Sequence, residues 1–337
     1  MTMESGNISA VRKTPNSNGQ YGVGVTDGGD FTMTGGKIEA GWFAVAGNGN
    51  YKTQNSIINI TDGELISTAD YAVYLPQSGT TTISGGKVYG AAGGVCIQRG
   101  TLNVEGTALI TSKGTGSTGN WGDGTGGLDC AAINVSGAYG IATVNIKGGT
   151  LIAEAKSLIT EGTTYTPVIN VTGGTFSDPS VLKYMATNAT VDIKLLSNIN
   201  IAKTELATGY ILNAANATAN LNLNGHDIIN SSETADATPF TQIFTVQNGT
   251  LNISGNGNVK CDASATAKDD GYRMVIEARG YGTVNIHGGS YYNTQKLNTQ
   301  IDLIYARENG KINIYGGTFE SGKYGTPNND TDGRYWY

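Results

Sequence analysis

The chain has 337 residues, a formal net charge of −6 and only 14% charged residues, whereas glycine fills 50 positions. Hydrophobic residues make up 38% of it and proline is scarce, which excludes an intrinsically disordered protein. The weakly acidic balance argues against nucleic acid as a partner, because a phosphate-binding surface needs clustered lysine and arginine.

The N-terminal residues 1–6 lack a basic region followed by an apolar run, so we predict no secretory signal. No apolar stretch approaches the length of about 20 residues that a membrane-spanning helix needs, so we expect no membrane insertion. The cysteines Cys96, Cys130 and Cys261 are odd in number and far apart. We predict small buried core residues rather than a disulfide framework or a metal site.

A short motif recurs along the chain. Residues 283–289 read TVNIHGG and residues 311–317 read KINIYGG, and related copies lie upstream. Each copy is an alternating strand that ends at a corner rich in glycine. The predicted corners are Gly35, Asp62, Gly85, Gly106, Gly137, Gly148, Gly173, Gly225, Gly255, Gly288 and Gly316.

The residues before each corner alternate in character. The positions two and four residues before it are almost all apolar, and the position three before it is asparagine or threonine. Alternation with period two places the apolar columns on one face of the strand and the polar column on the other. We predict that the polar column is an outward ladder that fixes register, with a sugar-binding face as the alternative. Its members include Asn134, Asn222, Asn252, Asn285 and Asn313.

Strands that return every 20–30 residues with a constant inward pattern cannot bury that face alone. Stacking the copies in parallel buries a continuous apolar column, and a β-solenoid is stabilised in this way. A sandwich is the competing all-β solution, but it needs alternating strand directions and no shared motif. We therefore predict an all-β, parallel β-helix (β-solenoid) with about ten to twelve coils.

Two stretches depart from the repeat. Ser112–Leu128 is rich in glycine, serine and threonine and predicts a protruding loop. Within and after it, Asp123 and Asp129 form a weak likeness to a calcium-binding loop, the one cofactor that the sequence suggests. Asp178 followed by Pro179 predicts a short helix over about 179–186.

After that helix the repeats resume, which places a soft boundary near residue 188. We predict two modules, 1–187 and 188–337, with one continuous solenoid as the alternative. Residues 333–337 are alternating and aromatic, like the first strand of a further coil, so the chain looks truncated at that end.

Tyrosine concentrates towards the C-terminus, where nine of the 18 tyrosines follow residue 270. Alternation predicts that Tyr305 and Tyr315 face outward, with His287 beneath Tyr315. Aromatic faces stack on sugar rings, and arginine donates in a fixed fork to carboxylates or hydroxyls. A protein partner would use the same residue types. The remaining alternative is that these side chains only pack between coils and against loops. The predicted binding residues are Arg279, Arg307, Tyr305, Tyr315, Tyr292 and His287.

Catalysis of polysaccharide cleavage needs two carboxylates that face one sugar bond. The candidates are Asp269, Asp270, Glu277, Asp302 and Glu308. Aligning the last two copies sets Glu277 against Tyr305 and Glu308 against Gly280, so the acids do not share a column. We therefore predict no catalytic residues. The histidines His226 and His287 occupy variable positions beside a corner, which argues against a histidine metal site or a Ser/His/Asp triad.

Several segments resemble a known group of proteins. Residues 173–180 (GGTFSDPS), 221–226 (LNLNGH) and 312–319 (INIYGGTF) are similar to right-handed β-helix repeats. Such repeats occur in adhesin-like surface proteins of gut bacteria and in fibre or spike proteins of their phages. Residues 302–307 and 333–336 resemble the phage variety more closely. The resemblance implies a right-handed solenoid and no fixed catalytic motif.

The resulting expectation is a non-enzymatic stalk and recognition module on a virion surface. Its expected partners are a cell-surface glycan or host receptor and other virion or surface proteins, and the fibre resemblance adds the expectation of a homotrimer. One alternative is a bacterial adhesin, extracellular at the cell surface. Others are a polysaccharide lyase or glycosidase and a purely structural virion part.

Overall fold

The computed structural model describes residues 1–11, 20–48, 54–118, 125–161, 164–201, 209–230, 240–261, 272–293 and 301–321. These residues form an all-β protein of mostly parallel sheets with very little helix. The chain divides into two compact units, Met1–Lys194 and Leu195–Tyr337. This division falls a few residues after the boundary that we expected near 188.

In the first unit the strands belong to two sheets. They are β1 (Thr2–Met3), β2 (Asn7–Ala10), β3 (Val23–Gly24), β4 (Asp30–Ala40), β5 (Val45–Ala46), β6 (Ser56–Ser67), β7 (Tyr71–Leu75), β8 (Gly79–Ile83), β9 (Lys87–Gly90), β10 (Gly93–Ile97), β11 (Gly100–Val104), β12 (Leu109–Ser112), β13 (Ala131–Val135), β14 (Ala142–Ile146), β15 (Thr150–Ala153), β16 (Lys156–Thr160), β17 (Val168–Val171), β18 (Thr175–Phe176) and β19 (Thr190–Lys194).

Strands from successive repeats pair in parallel. In the first sheet, one row runs β1–β4–β6–β8–β11–β14–β17 and a second row joins β2, β4, β6, β9, β12, β15, β18 and β19. The second sheet runs β3–β5–β7–β10–β13–β16. The predicted all-β, parallel class is confirmed, and the arrangement is consistent with a β-solenoid.

The core of the first unit consists of stacked apolar columns. Cα-paired residues of neighbouring strands point inward and are almost completely buried. Burying each such side chain contributes about 1.5–3 kcal/mol, so the columns are the main source of stability. The columns are Met33, Ile60, Ile83, Val104, Ile146 and Val171; Ile38, Leu65, Val88, Ile110, Leu151 and Phe176; and Val45, Val73, Val95, Ile133 and Leu158.

One predicted copy of the repeat belongs to a different sheet. The strand before Gly137 is β13, and its Asn134 pairs with Cys96 of β10 instead of joining the asparagine column of the first sheet. Asn134 is fully buried. Strands of both sheets alternate with the same period, so the pattern alone does not reveal which sheet a strand joins.

The predicted protruding loop at Ser112–Leu128 is described only at its two ends. There Lys113 and residues 115–117 are exposed, whereas Thr125 is buried and its Oγ1 donates to Oδ2 of the buried Asp70 at 2.9 Å. Leu128 packs against a cluster of Phe43, Ala46, Tyr71, Tyr74 and Cys96. Every residue of β7, β10 and β13 is buried, although only one face of each strand points to the core.

The predicted helix is present as a 3-10 helix at Pro179–Tyr184. Its N-cap is Asp178, whose Oδ1 accepts a hydrogen bond from Ser180 N at 2.8 Å. The other carboxylate oxygen accepts from Ser157 N and Oγ, both at 2.5 Å. Capping and proline at the start therefore begin the helix as the sequence indicates.

The second unit repeats the same plan. Its strands are β20 (Ile199–Asn200), β21 (Tyr210–Asn222), β22 (Ile228–Asn230), β23 (Phe240–Ser254), β24 (Asn258–Cys261), β25 (Tyr272–Ala278), β26 (Thr283–Ile286), β27 (Ser290–Asn293), β28 (Ile301–Ala306), β29 (Lys311–Ile314) and β30 (Thr318–Ser321). In one sheet β21 pairs with β23, which pairs with β25 and β26, and these pair with β28 and β29. The other sheet runs β20–β22–β24–β27–β30.

The inward columns of the second unit follow the sequence pattern up to its last described strands. Leu221, Ile253 and Ile286 stack and are fully buried, whereas their next partner, Ile314, is 49% exposed. Cys96, Cys130 and Cys261, all in the described part of the chain, are buried and form no disulfide. None of the helices in the described residues is long and apolar enough to cross a membrane.

Candidate functional site

Outward asparagines in both units form hydrogen-bonded ladders. In the second unit, Nδ2 of each asparagine donates to Oδ1 of the previous one, and Asn313, Asn285, Asn252 and Asn220 are joined at 2.8 Å per step. In the first unit Asn170 donates to Asn145, and Asn145 to Asn103, at 3.0 Å each. Each amide uses one donor and one acceptor along the stack, so the ladder favours a single register between neighbouring strands.

The predicted ladder residue Asn222 is not part of this stack. Asn252 pairs with Asn220, and Asn222 pairs with Ser254. The side chain of Asn222 instead accepts a hydrogen bond from Asn224 N at 2.8 Å. A shift of two residues leaves every side chain on the same face, so the apolar pattern cannot distinguish the two asparagines.

A buried carboxylate organises the arginines of the second unit. Glu277 lies on β25 and is only 2% exposed. Arg307 Nε donates to its Oε1 at 2.6 Å, and Arg279 Nη1 lies 3.8 Å from its Oε2. Arg279 Nη2 also donates to Oε1 of Gln247 at 3.4 Å. The hydrogen bond to Glu277 raises the pKa of the Arg307 guanidinium, which is therefore held charged and in a fixed orientation.

Glu308 completes the cluster and has a strained backbone. Its Oε1 accepts from Arg307 Nη1 at 3.1 Å, and its Oε2 accepts from Gly280 N at 3.0 Å. Glu308 has φ +58°, close to the +59° of Gly280 at the same place in the previous repeat. A residue with a side chain loses about 1–2 kcal/mol in this left-handed conformation. Glu308 therefore occupies a position whose backbone conformation favours glycine.

Two exposed tyrosines accompany these charges. Tyr305 is the strand partner of Glu277 and is 36% exposed. Tyr281 follows Arg279 by two residues on the same bend and is 76% exposed. We did not predict Tyr281, although its position between two glycines in a bend is a signal for an exposed side chain. We call Glu277, Arg279, Tyr281, Tyr305, Arg307 and Glu308 the arginine–tyrosine surface.

The remaining predicted binding residues lie elsewhere in the second unit. His287 and Tyr315 stack on each other, with ring centroids 4.7 Å apart and an interplanar angle of 8°, and both are exposed. Tyr292 lies on β27 in the other sheet, where its strand partners are Lys260 and Glu320. The structure thus brings together Arg279, Arg307 and Tyr305 and places Tyr292 apart from them.

Among the candidate acids, Asp269 and Asp270 lie outside the described residues, as does the side chain of Asp302. Glu277 and Glu308 are both engaged by Arg307. For the suggested calcium site, Asp123 also lies outside the described residues. Asp129 uses its backbone N–H to donate to Glu161 at 2.9 Å and its carbonyl to accept from Tyr71 at 2.5 Å. Nowhere in the described ranges do three metal-binding side chains group to hold an ion.

The first unit carries an open groove of about 740 Å³ that sequence reasoning missed. It is lined by the first residues of β6, β8 and β11, by the bends that precede these strands and β14, and by Tyr165 of a further bend. We call it the tyrosine groove. Its lining includes the side chains of Ile57, Thr80, Arg99, Thr101, Tyr139, Ile141 and Tyr165. Ile57, Thr80 and Thr101 belong to strands, whereas Arg99, Tyr139, Ile141 and Tyr165 lie in irregular bends, so no repeat column marks those four in the sequence.

The fold and these surfaces define the class: an all-β repeat protein of mostly parallel sheets, with polar and aromatic residues on its outer faces. No family model matches the chain, and neither a curated protein nor a solved structure matches it.

Proposed function

We propose that this chain is a non-enzymatic recognition module, built as a right-handed parallel β-solenoid of about ten to twelve coils, that binds a cell-surface glycan. The observation that carries the proposal is the arginine–tyrosine surface, where exposed tyrosines and partly exposed arginines cluster at the ends of β25 and β28 and in the bends that follow these strands. The two strands pair in parallel, which fixes the spacing between their bends.

The chemistry of this surface suits sugars. Tyr281 and Tyr305 present ring faces for stacking, and the arginines present donors to hydroxyl groups. The two arginines are balanced by Glu277 and Glu308, so the cluster is close to neutral and does not favour a highly charged polymer. Because Glu277 already orients Arg307, less side-chain entropy is lost when a ligand binds.

The setting that we propose is a phage fibre or spike component on a virion surface, with a bacterial cell-surface adhesin as the alternative. It rests on the resemblance of residues such as 312–319 to repeats of those proteins. In such a setting a rigid stalk displays the surface at a distance, and several copies of it, as in a homotrimer, add avidity to weak contacts.

A glycan array probed with the whole chain tests this proposal. We expect binding to a subset of surface glycans, weakened about tenfold or more in Arg307→Ala and Tyr281→Ala. The matched control is Lys87→Ala, which removes an exposed ion-paired cation in the first unit. The proposal is wrong if no glycan binds, or if Arg307→Ala and Tyr281→Ala bind glycan as tightly as the Lys87→Ala control.

The same samples are incubated with capsular and pectin-like polysaccharides. We expect no new reducing ends and no unsaturated uronates. Turnover that exceeds the buffer control would instead establish the enzymatic alternative, and the carboxylates of the arginine–tyrosine surface would then be the first residues to replace.

A further inference from the structure

The tyrosine groove lies in the first unit, whereas the arginine–tyrosine surface lies in the second, so the groove is a separate feature. Its volume of about 740 Å³ falls within the range of about 300–1,000 Å³ that is usual for ligand sites. From its lining we propose that it binds an acidic oligosaccharide, with a sugar carboxylate on Arg99 and sugar rings on Tyr139 and Tyr165.

Charge favours an acidic ligand. Among the described residues that line the groove, Arg99 alone is charged. Within the described ranges no carboxylate lies at ion-pairing distance from it, whereas Arg279 and Arg307 both have such partners. A guanidinium without a protein carboxylate binds a ligand carboxylate in a bidentate fork, which neutral ligands cannot provide.

Packing places this guanidinium in the groove. A Cβ added at Gly140 would lie 2.8 Å from Cδ, 2.9 Å from Cγ and 3.0 Å from Nε of Arg99, so the arginine side chain lies across that glycine. The two bends are also joined through their backbones, because Gly100 N donates to Ile141 O at 3.2 Å. The glycine therefore provides the space that Arg99 occupies.

The lining also carries exposed apolar side chains. Ile57, Tyr139, Ile141 and Tyr165 are all exposed, although residues of this size are normally buried in a stable repeat. Tyr139 N donates to Gln98 O and Tyr165 N to Gly137 O, each at 3.2 Å, so both rings rise from backbone that is fixed to the preceding bend. Aromatic faces held in this way suit the flat faces of sugar rings.

Hydroxyl groups of the lining add hydrogen-bonding capacity. Thr80 is exposed and Thr101 is partly exposed, and both lie near the start of strands that line the groove. A hydroxyl group both donates and accepts, so these side chains suit the hydroxyl groups of a saccharide.

The shape of the groove decides between a saccharide and a peptide. Strands β6, β8, β11 and β14 are consecutive neighbours, so the groove crosses them over a distance of roughly 15 Å, with about 4.8 Å per strand. A peptide that adds to a sheet needs a free strand edge. These strands are paired on both sides, so the groove offers a ligand side chains and no free strand edge.

Titration calorimetry with the whole chain tests this inference, with trigalacturonate as the acidic probe and its methyl ester as the neutral one. We expect the acidic probe to bind more tightly and its affinity to fall with added salt. Arg99→Gln should weaken it about ten- to a hundredfold, since one charge-assisted bidentate contact is lost. Gly140→Ala should also weaken it, because the new methyl group displaces Arg99 without removing its charge.

The matched control is Lys147→Gln, which removes an exposed cation of the first unit that does not line the groove. It should leave affinity unchanged, and circular dichroism checks that each variant is folded. Equal affinity for the two probes, or unchanged binding in Arg99→Gln, would overturn the inference. If Arg307→Ala abolishes binding of trigalacturonate while the groove variants bind normally, this inference fails and the proposed function stands. If no saccharide binds at either place, both fail.

Discussion

Replacing Glu277 with glutamine tests whether a buried carboxylate holds the arginine–tyrosine surface together. Glutamine keeps the volume and can still accept a hydrogen bond, so the change removes charge without leaving a cavity. The carboxylate is 2% exposed and accepts at 2.6 Å from Arg307. Hydrogen bonds to charged groups contribute about 1.5–3 kcal/mol, and breaking a fully buried ion pair costs about 3–5 kcal/mol.

The lower range applies here, because the two guanidinium groups are 31% and 40% exposed and water can solvate them once Glu277 is neutral. We therefore expect Glu277→Gln to lower the free energy of unfolding by about 1.5–3 kcal/mol. Glu308→Gln is the matched control, since Glu308 pairs with the same Arg307 but is 53% exposed. That exposed pair should contribute only about 0–1 kcal/mol.

Urea unfolding followed by circular dichroism measures both variants, at low salt and in 1 M NaCl, where exposed charges are screened over about 3 Å. The difference in the free energy of unfolding between wild type and Glu277→Gln should persist in high salt. The corresponding difference between wild type and Glu308→Gln should disappear. If Glu277→Gln is no more destabilising than Glu308→Gln, the buried carboxylate does not organise the cluster and our reasoning is wrong.

Three further predictions concern other parts of the chain. Glu308→Gly should leave the free energy of unfolding within about 1 kcal/mol, because relief of the left-handed strain offsets the lost ion pair, and it should weaken glycan binding on the array; a large loss of stability would contradict this. Ile146→Ala should lower the urea midpoint by the equivalent of about 2–5 kcal/mol, whereas Ile57→Ala at an exposed position should change it by less than about 0.5 kcal/mol; similar effects would contradict the stacked core. Burial raises the pKa of Glu161 above 4.5, so its contribution to stability is greatest below pH 4.5 and is lost as pH rises through the folded pKa. Glu161→Gln should therefore be more stable than wild type at pH 7 and lose this advantage at pH 4, as measured by thermal unfolding; an advantage that is the same at both pH values would contradict it.

The sequence by itself determined the class of fold and much of its packing. Alternation with period two fixes which side chains face inward, and a common corner fixes where each strand ends, so the column of Met33, Ile60, Ile83 and Val104 is evident without coordinates. Equal spacing between the last two copies likewise predicted that His287 lies against Tyr315 and that Glu277 pairs with Tyr305.

Tertiary structure decided what a periodic pattern leaves open. A shift of two residues preserves both faces of a strand, so only pairing shows that Asn220, and not Asn222, joins the ladder. The pattern is also the same in both sheets, so only pairing shows that Asn134 is buried in the second one.

The functional surfaces depend on tertiary structure for another reason. The tyrosine groove combines Ile57 of β6 with Arg99, Tyr139 and Tyr165 of separate bends, and bends carry no periodic signal. Alternation alone places Glu277 on an outer face, and only the tertiary structure shows that it is buried and lies against two arginines. Strand periodicity reports the core, whereas the ligand-facing positions are set by how irregular segments of successive repeats come together.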